Sequence, residues 1–139
     1  AKELLYVLKN LPESMAGAKP QDHAKATYAE KVTKEMGHID WEQEASVIDA
    51  LIRGMYPSPG TYTYFHGKRI KIHDAFYENS DTAAIVKGTV VSLKDGNIGV
   101  AAMHGIIYLT MVQPENHKRM KTIDFINGYQ VKTNDCFEY

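Results

Sequence analysis

The chain has 139 residues, 44% of them hydrophobic, which suits one globular domain with an appendage. Its 16 Lys and Arg against 17 Asp and Glu leave a formal net charge of −1, so any attraction to a polyanion must come from local clustering. A single cysteine, Cys136, excludes an intrachain disulfide framework and fits a reducing compartment, and no run approaches the roughly 18 apolar residues of a membrane helix.

The chain opens with Ala1-Lys2-Glu3, has no initiator Met, carries no signal-peptide pattern and starts inside a helical pattern, as a piece of a longer protein would. Leu4, Leu5, Leu8 and Leu11 fall on one helical face, with Lys2, Glu3 and Lys9 outside it, and Pro12 is expected to end the helix. About three helical turns do not hold themselves up in water, so the leucine face requires a partner. Residues 13–38 read as a linker, broken by Gly17, Pro20 and Gly37 and lacking sustained periodicity. Within it Tyr28, Ala29 and Val32 are expected to press onto a neighbouring surface. Lys25, Lys31 and Lys34 read either as solvated charges or as a basic strap along a polyanion.

Asp40 with Gln43 three residues on has the form of a capping box. Ala45, Ile48, Leu51, Ile52 and Met55 follow at helical spacing, and Tyr56-Pro57-Ser58-Pro59-Gly60 ends that helix. Trp41 reads as a packing anchor. From Thr61 onward the pattern is β, with strands expected near 61–65, 68–77, 86–93, 97–103 and 106–112. His66-Gly67, Asp95-Gly96 and His104-Gly105 separate several of them as tight turns. Thr122 is expected to cap a short helix closed by Gly128, and Phe137 and Tyr139 suggest a last short strand. Short antiparallel strands need closure to avoid bare edges. The expected fold is therefore mainly β, a small OB-like antiparallel β-barrel with one amphipathic helix, preceded by a linker and a short N-terminal helix.

No catalytic constellation emerges. The six histidines are scattered, without metal-ligand spacing, and His66 and His104 read as turn residues. Cys136 reads as a buried, inert thiol. Glycines occur singly, with no phosphate-cradling loop. Basic clustering does stand out: Lys68, Arg69 and Lys71 on one strand, and Lys118, Arg119 and Lys121 in a later loop beside His117. Period 2 sends Ile70 and Ile72 to one face and Arg69, Lys71 and His73 to the other. With Tyr62, Tyr64 and Tyr108 on neighbouring strands, this supplies charge for a nucleic-acid backbone and rings for bases; protection of an edge strand against aggregation is the competing account.

An ordered series of residues then carries a resemblance. Ala26-Thr27-Tyr28-Ala29-x-Lys31, Ile39-Asp40-Trp41, Ile52-Arg53, Pro57-x-Pro59-Gly60-x-Tyr62-Thr63 and Gly67-Lys68-Arg69-Ile70-Lys71-Ile72 are followed by Gly88-Thr89-Val90, Asp95-Gly96, Val112-Gln113-Pro114-Glu115, Lys118-Arg119-Met120 and Asp124-Phe125-x-Asn127-Gly128. Together they resemble the C-terminal portion of bacterial methionyl-tRNA formyltransferases over nearly the whole chain. Residues 1–11 resemble the last helix of the catalytic domain, 12–35 the interdomain linker and 36–139 an OB-like tRNA-binding domain.

The resemblance implies a cytoplasmic bacterial parent that moves a formyl group from 10-formyltetrahydrofolate onto the amino group of initiator methionyl-tRNA. The family's catalytic Asn, His and Asp belong to the N-terminal domain, so no catalytic residue, no metal ligand and no bound cofactor is expected in this chain, nor formyl transfer by it alone. Its expected partners are initiator methionyl-tRNA and the catalytic domain, with no membrane, and the expected state is a monomer. Positive side chains would hold the inside of the tRNA elbow; on this sequence they are Lys68, Arg69, Lys71, Lys118, Arg119 and Lys121. Asn116-His117 stands where the family often has Gly-Lys, leaving His117 as a pH-dependent substitute cation. Two alternatives stay open: an accessory barrel of a related formyl-folate enzyme (a sugar formyltransferase or a formyltetrahydrofolate hydrolase or dehydrogenase), and a stand-alone single-strand binder stacking bases on Tyr62 or Tyr64.

Overall fold

The computed structural model describes residues 2–139, in two units, one ending at Lys31 and the other Val32–Tyr139. Ala1, the first residue of the expected 1–11 segment, lies outside the described residues.

In the first unit, α1 (Lys2–Lys9) leaves Leu4, Leu5 and Leu8 exposed among the described residues. Pro12 does more than stop this helix. It sits in the first turn of α2 (Leu11–Ala16), where a missing N–H costs nothing, so it restarts the helix after the break at Asn10. A single 3₁₀ turn, His23–Lys25, follows. Tyr28 is exposed, as is Val32 at the start of the second unit, and Lys25 pairs at 3.8 Å with Asp22.

The second unit opens with a 3₁₀ turn, Glu35–Gly37, and then α3 (Ala45–Met55). Asp40 does not cap this helix as expected. Its carboxylate accepts the Glu42 N–H at 2.9 Å and the Gln43 side-chain amide at 3.0 Å, building a separate turn, and the helix begins at Ala45, behind Glu44. α3 buries Ala45, Ile48, Asp49 and Ile52, the inward stripe of the helical pattern. Trp41 is an anchor: it is buried, and its indole N–H donates to the Thr63 hydroxyl at 3.1 Å.

The sheet comprises β1 (Thr61–Phe65), β2 (Lys68–Asn79), β3 (Val90–Lys94), β4 (Asn97–Ala102), β5 (Gly105–Pro114), β6 (Met120–Lys121) and β7 (Phe137–Glu138). Its order is β3-β4-β5-β2-β1-β7, all antiparallel, with β6 added on β5. The Asp95-Gly96 and His66-Gly67 turns have positive φ at both residues, as two-residue hairpins require. At His104-Gly105 the positive φ falls on His104 alone, and Gly105 is there for space: a Cβ would crowd the Glu78 carbonyl and Ala45.

The C-terminal residues bridge the two edges of this curled sheet. Phe137 and Glu138 pair with Phe65 and Tyr64 of β1. On the other side the Phe137 N–H donates to Gly88 O and the Val90 N–H to Asp135 O, both at 2.8 Å. The interior holds Phe65, Ile70, Ile72, Ile98, Val100, Ile107, Leu109, Val112, Phe125 and Phe137, under Ile48 and Ile52 of α3. The result is the mainly β, curled antiparallel barrel architecture expected from the sequence.

α4 (Thr122–Tyr129) departs from expectation at both ends. Thr122 lies inside the helix with its hydroxyl donating to Gly96 O at 2.8 Å, and Gln130, not Gly128, closes it at φ 53°. Cys136 is exposed rather than buried. Partial burial of the thiol itself and the neighbouring Glu138 carboxylate push its pKa up, so it holds its proton.

Candidate nucleic-acid interface

β2 is the strand on which the site is built, because it runs across the sheet between β1 and β5. Its alternation buries Ile70 and Ile72 and turns Arg69, Lys71 and His73 outward at roughly 7 Å intervals. Lys71 sits between Tyr62 of β1 and Gln113 of β5 in the cross-strand register. The register then shifts around Asp74, a bulge that ends the basic stripe.

The second basic segment comes to the same place. The Glu115 N–H donates to Arg69 O at 3.0 Å, which starts the loop beside the β1–β2 hairpin. Asn116 takes φ 61°, a left-handed conformation that Asn and Gly tolerate, and the chain reverses there. One cavity is lined by Arg69, Lys71 and Gln113–Asn116, a second by Lys68, Tyr129 and Pro114–His117. A third, of about 380 Å³, is shared by His73, Arg119, Arg53 and Tyr56. β6 lays Lys121 opposite Met111 of β5. The loop after β5 therefore folds against β2, with Arg119 beside His73 and Lys121 on the β5–β6 pair, while Lys118 lines none of these cavities. Among the described residues none of Lys68, Arg69, Lys71, Lys118, Arg119 and Lys121 has a carboxylate within 4.0 Å.

Three of these cations lie over rings: Arg69 at 4.1 Å from the Tyr62 centroid, Arg119 at 5.7 Å from Tyr56 and Lys68 at 5.9 Å from Tyr129. Tyr62 is also stacked at 4.7 Å on His38, whose other side carries Tyr139 at 4.4 Å. Both faces of Tyr62 are thus covered, and it offers no platform to a base. Tyr108 is not part of the cluster either; it stacks on Phe76 at 5.0 Å, beyond the bulge.

Two residues left out of the sequence-based site lie beside its cations. The imidazole of His73 lies 2.9 Å from Gln113 Oε1, and the Gln113 amide donates to His117 O at 2.8 Å. Gln113 therefore ties the basic loop to β2. Since Oε1 only accepts, His73 Nε2 carries a proton. Burial, opposed by the Gln113 hydrogen bond and helped by the Arg119 and Lys71 charges, holds the His73 pKa below the usual histidine value. The outward phase of His73 was visible in the strand pattern. Nothing local signals Gln113, whose partner is 40 residues away.

Residues 31–130 match the family described as the formyl transferase C-terminal domain. The chain belongs to that family. As a formyltransferase C-terminal domain it is similar to the methionyl-tRNA formyltransferase of Dictyoglomus turgidum, at 39% identity over 99% of this chain and 45% of that protein. It is also 42% identical to the methionyl-tRNA formyltransferase of Chlamydia muridarum over 88% of the chain and 41% of that protein, and 38% identical to that of Bdellovibrio bacteriovorus over 94% and 40%. The chain thus spans under half the length of these curated relatives. Among solved structures, HypX from Aquifex aeolicus in complex with tetrahydrofolic acid aligns with a TM-score of 0.60 at 17% identity, over 98% of this chain and 26% of that one. That likeness shows a shared fold. Among the described residues no helix is long and apolar enough to cross a membrane.

Proposed function

We propose that this formyltransferase C-terminal domain is the tRNA-holding module of a methionyl-tRNA formyltransferase, acting as a monomer in the bacterial cytoplasm. The observation that carries the reading is that the loop 114–117 lies against Lys68, Arg69 and Lys71 and brings Arg119 beside His73 of the same strand, while none of these four cations has a carboxylate within 4.0 Å. A surface charge left without a protein partner is free to displace the counterions of a nucleic-acid backbone. A rigid row of cations suits the phosphates and 2′-hydroxyls of an RNA stem, where contacts position the substrate and read little sequence.

The relatives named methionyl-tRNA formyltransferase support the choice of tRNA and of translation initiation as the setting. In this reading the parent moves a formyl group from 10-formyltetrahydrofolate to the amino group of initiator methionyl-tRNA. Donor binding and transfer fall to the part of the parent outside this chain. In this reading the cavities that hold Lys68, Arg69 and Lys71 serve the RNA backbone. The module's contribution is affinity and orientation, and alone it transfers no formyl group.

The test is a filter-binding titration of initiator tRNA with the 139-residue chain at two salt concentrations. Six phosphate contacts predict a loss of about 10³-fold between 50 and 200 mM salt. Serine at all six positions should reduce binding to background while circular dichroism stays unchanged. Salt-independent binding, or none at 50 mM, contradicts the reading.

A further inference from the structure

The cavity of about 380 Å³ between the end of α3, β2, β5 and the loop before β6 has a property that simple charge neutralisation does not use. Among its lining residues are two arginines, Arg53 and Arg119, and one histidine, His73. Arg53 is occupied, its Nε donating at 2.9 Å to Asp49, whereas Arg119 has no carboxylate within 4.0 Å and rests on the Tyr56 ring. Lys71 lies two residues before His73 on the same outward face of β2.

We infer that a phosphate of the bound RNA seats against Arg119 and His73 in this cavity, and that His73 takes up a proton as it does so. The inference rests on the tRNA reading above and names a specific subsite within it.

The groups facing His73 from each packed element are few. From β2 come Lys71 and the Asp74 carboxylate, which already accepts the Thr110 hydroxyl at 2.6 Å. From α3 comes the Arg53–Asp49 pair, and after it Tyr56. From β5 come the neutral Gln113 and Met111, and from the loop Arg119. With His73 neutral, three cations oppose two carboxylates, so an entering anion meets a net positive site. Burial does most to hold the His73 pKa down, and to that is added the positive charge of Arg119 and Lys71. A phosphate cancels it and adds an opposite charge beside the ring, and both changes favour the imidazolium. Gln113 fixes the geometry for this. By accepting from Nε2–H it leaves Nδ1 as the nitrogen that gains the proton.

Linkage makes the effect reciprocal: an anion that raises the His73 pKa binds more tightly when His73 is protonated. An opposite charge at contact distance moves a pKa by ~1–3 units, so RNA affinity should rise about tenfold or more as pH falls from 8 to below the histidine range.

The experiment measures calorimetric binding of initiator tRNA to the full chain at pH 6.5 in two buffers of different ionisation enthalpy, with NMR titration of the histidine side chains. The expected result is fractional proton uptake on binding that is lost in His73→Gln and kept in His117→Gln, with the His73 resonance titrating at higher pH in the complex. Tight, salt-dependent RNA binding with no proton uptake overturns the subsite and leaves the interface reading standing. Uptake that follows His117 instead of His73 overturns it as well. Failure of RNA to bind at low salt removes both. Inorganic phosphate alone serves as the second arm: a His73 shift with phosphate but none with RNA assigns the cavity to the free anion and overturns its role as an RNA subsite.

Discussion

The guanidinium of Arg69 lies 4.1 Å from the centroid of the Tyr62 ring. The contact holds a flexible cation flat against β1, and His38 on the far face of Tyr62 holds the ring in turn. Arg69 Nε is buried there without a hydrogen-bond partner, so the side chain is positioned by stacking rather than by polar contacts. Arg69→Ala should therefore weaken tRNA binding and reduce the slope of log affinity against log salt by about 1. Arg69→Lys should restore most of that slope, since the charge returns, but not the stack, which is worth ~0.5–1 kcal/mol of stability at a partly exposed site. Filter binding at a series of salt concentrations, paired with urea unfolding of both variants, separates the two contributions. A lysine variant as stable as the parent would show that the stack contributes nothing.

Gly88 stands at the seam where the C-terminal segment meets the far edge of the sheet. Its φ of 85° suits glycine, and a Cβ there would overlap the Phe137 carbonyl oxygen and touch Trp41. Because its own carbonyl accepts the Phe137 N–H at 2.8 Å, relaxing the clash means losing a seam hydrogen bond. Gly88→Ala should cost at least ~1–3 kcal/mol from backbone strain alone. Gly54→Ala, with open space around the Cβ in the last turn of α3, should be neutral or gain up to ~1 kcal/mol. Urea midpoints for the two variants check the contrast, and equal midpoints would mean the seam is not part of the cooperative fold.

The same contrast between local and distant relations decides what the sequence shows. Ile70 and Ile72 alternating with Arg69 and Lys71 display the buried and charged faces of β2, because the strand period is a local property. The Asp95-Gly96 and His66-Gly67 turns are equally local. The pairing of Phe137 with Phe65 is not, because contacts across so long a separation depend on where the whole sheet curls. Asp40 misled for a related reason: its carboxylate does cap N–H groups, but those of its own turn, while Glu44 and the Ala45 N–H bond to Met103 O set where the helix begins. In the site, six cations were visible as residue types; that the loop 115–119 folds back over β2 depends on Gln113, whose ties to His73 and the His117 carbonyl have no local signature.

His38 and His73 give the fold a pH dependence with a definite sign. Burial, then the Arg69 charge, holds the His38 pKa below 6.5, with Asp40 opposing; His73 is lowered chiefly by burial. Below pH 6.5 the unfolded chain binds protons that the folded chain does not, so stability is full above that pH and declines as the pH falls toward the lowered folded values. Urea midpoints should drop between pH 7.5 and pH 5.5. His38→Gln should flatten part of that drop, because the glutamine amide does not titrate. A midpoint that rises on acidification would mean that groups whose pKa is raised by folding, not these imidazoles, control the range.

Lys118 and Arg119 are neighbours in sequence but not equivalent in structure. Both are exposed, yet Arg119 lies over Tyr56 and lines the cavity with His73, while Lys118 lines none of the cavities that hold the other cations. A side chain already placed against a ring loses less rotamer freedom when it meets a phosphate than one moving freely in solvent. Lys118→Ala should reduce the salt slope by a fraction of 1. Arg119→Ala should reduce it by about 1 and cost the larger share of affinity. The comparison is made by filter binding of initiator tRNA at 50, 100 and 200 mM salt. Equal losses would show that the loop acts through its net charge alone and that the Tyr56 contact does not prepare Arg119 for the RNA.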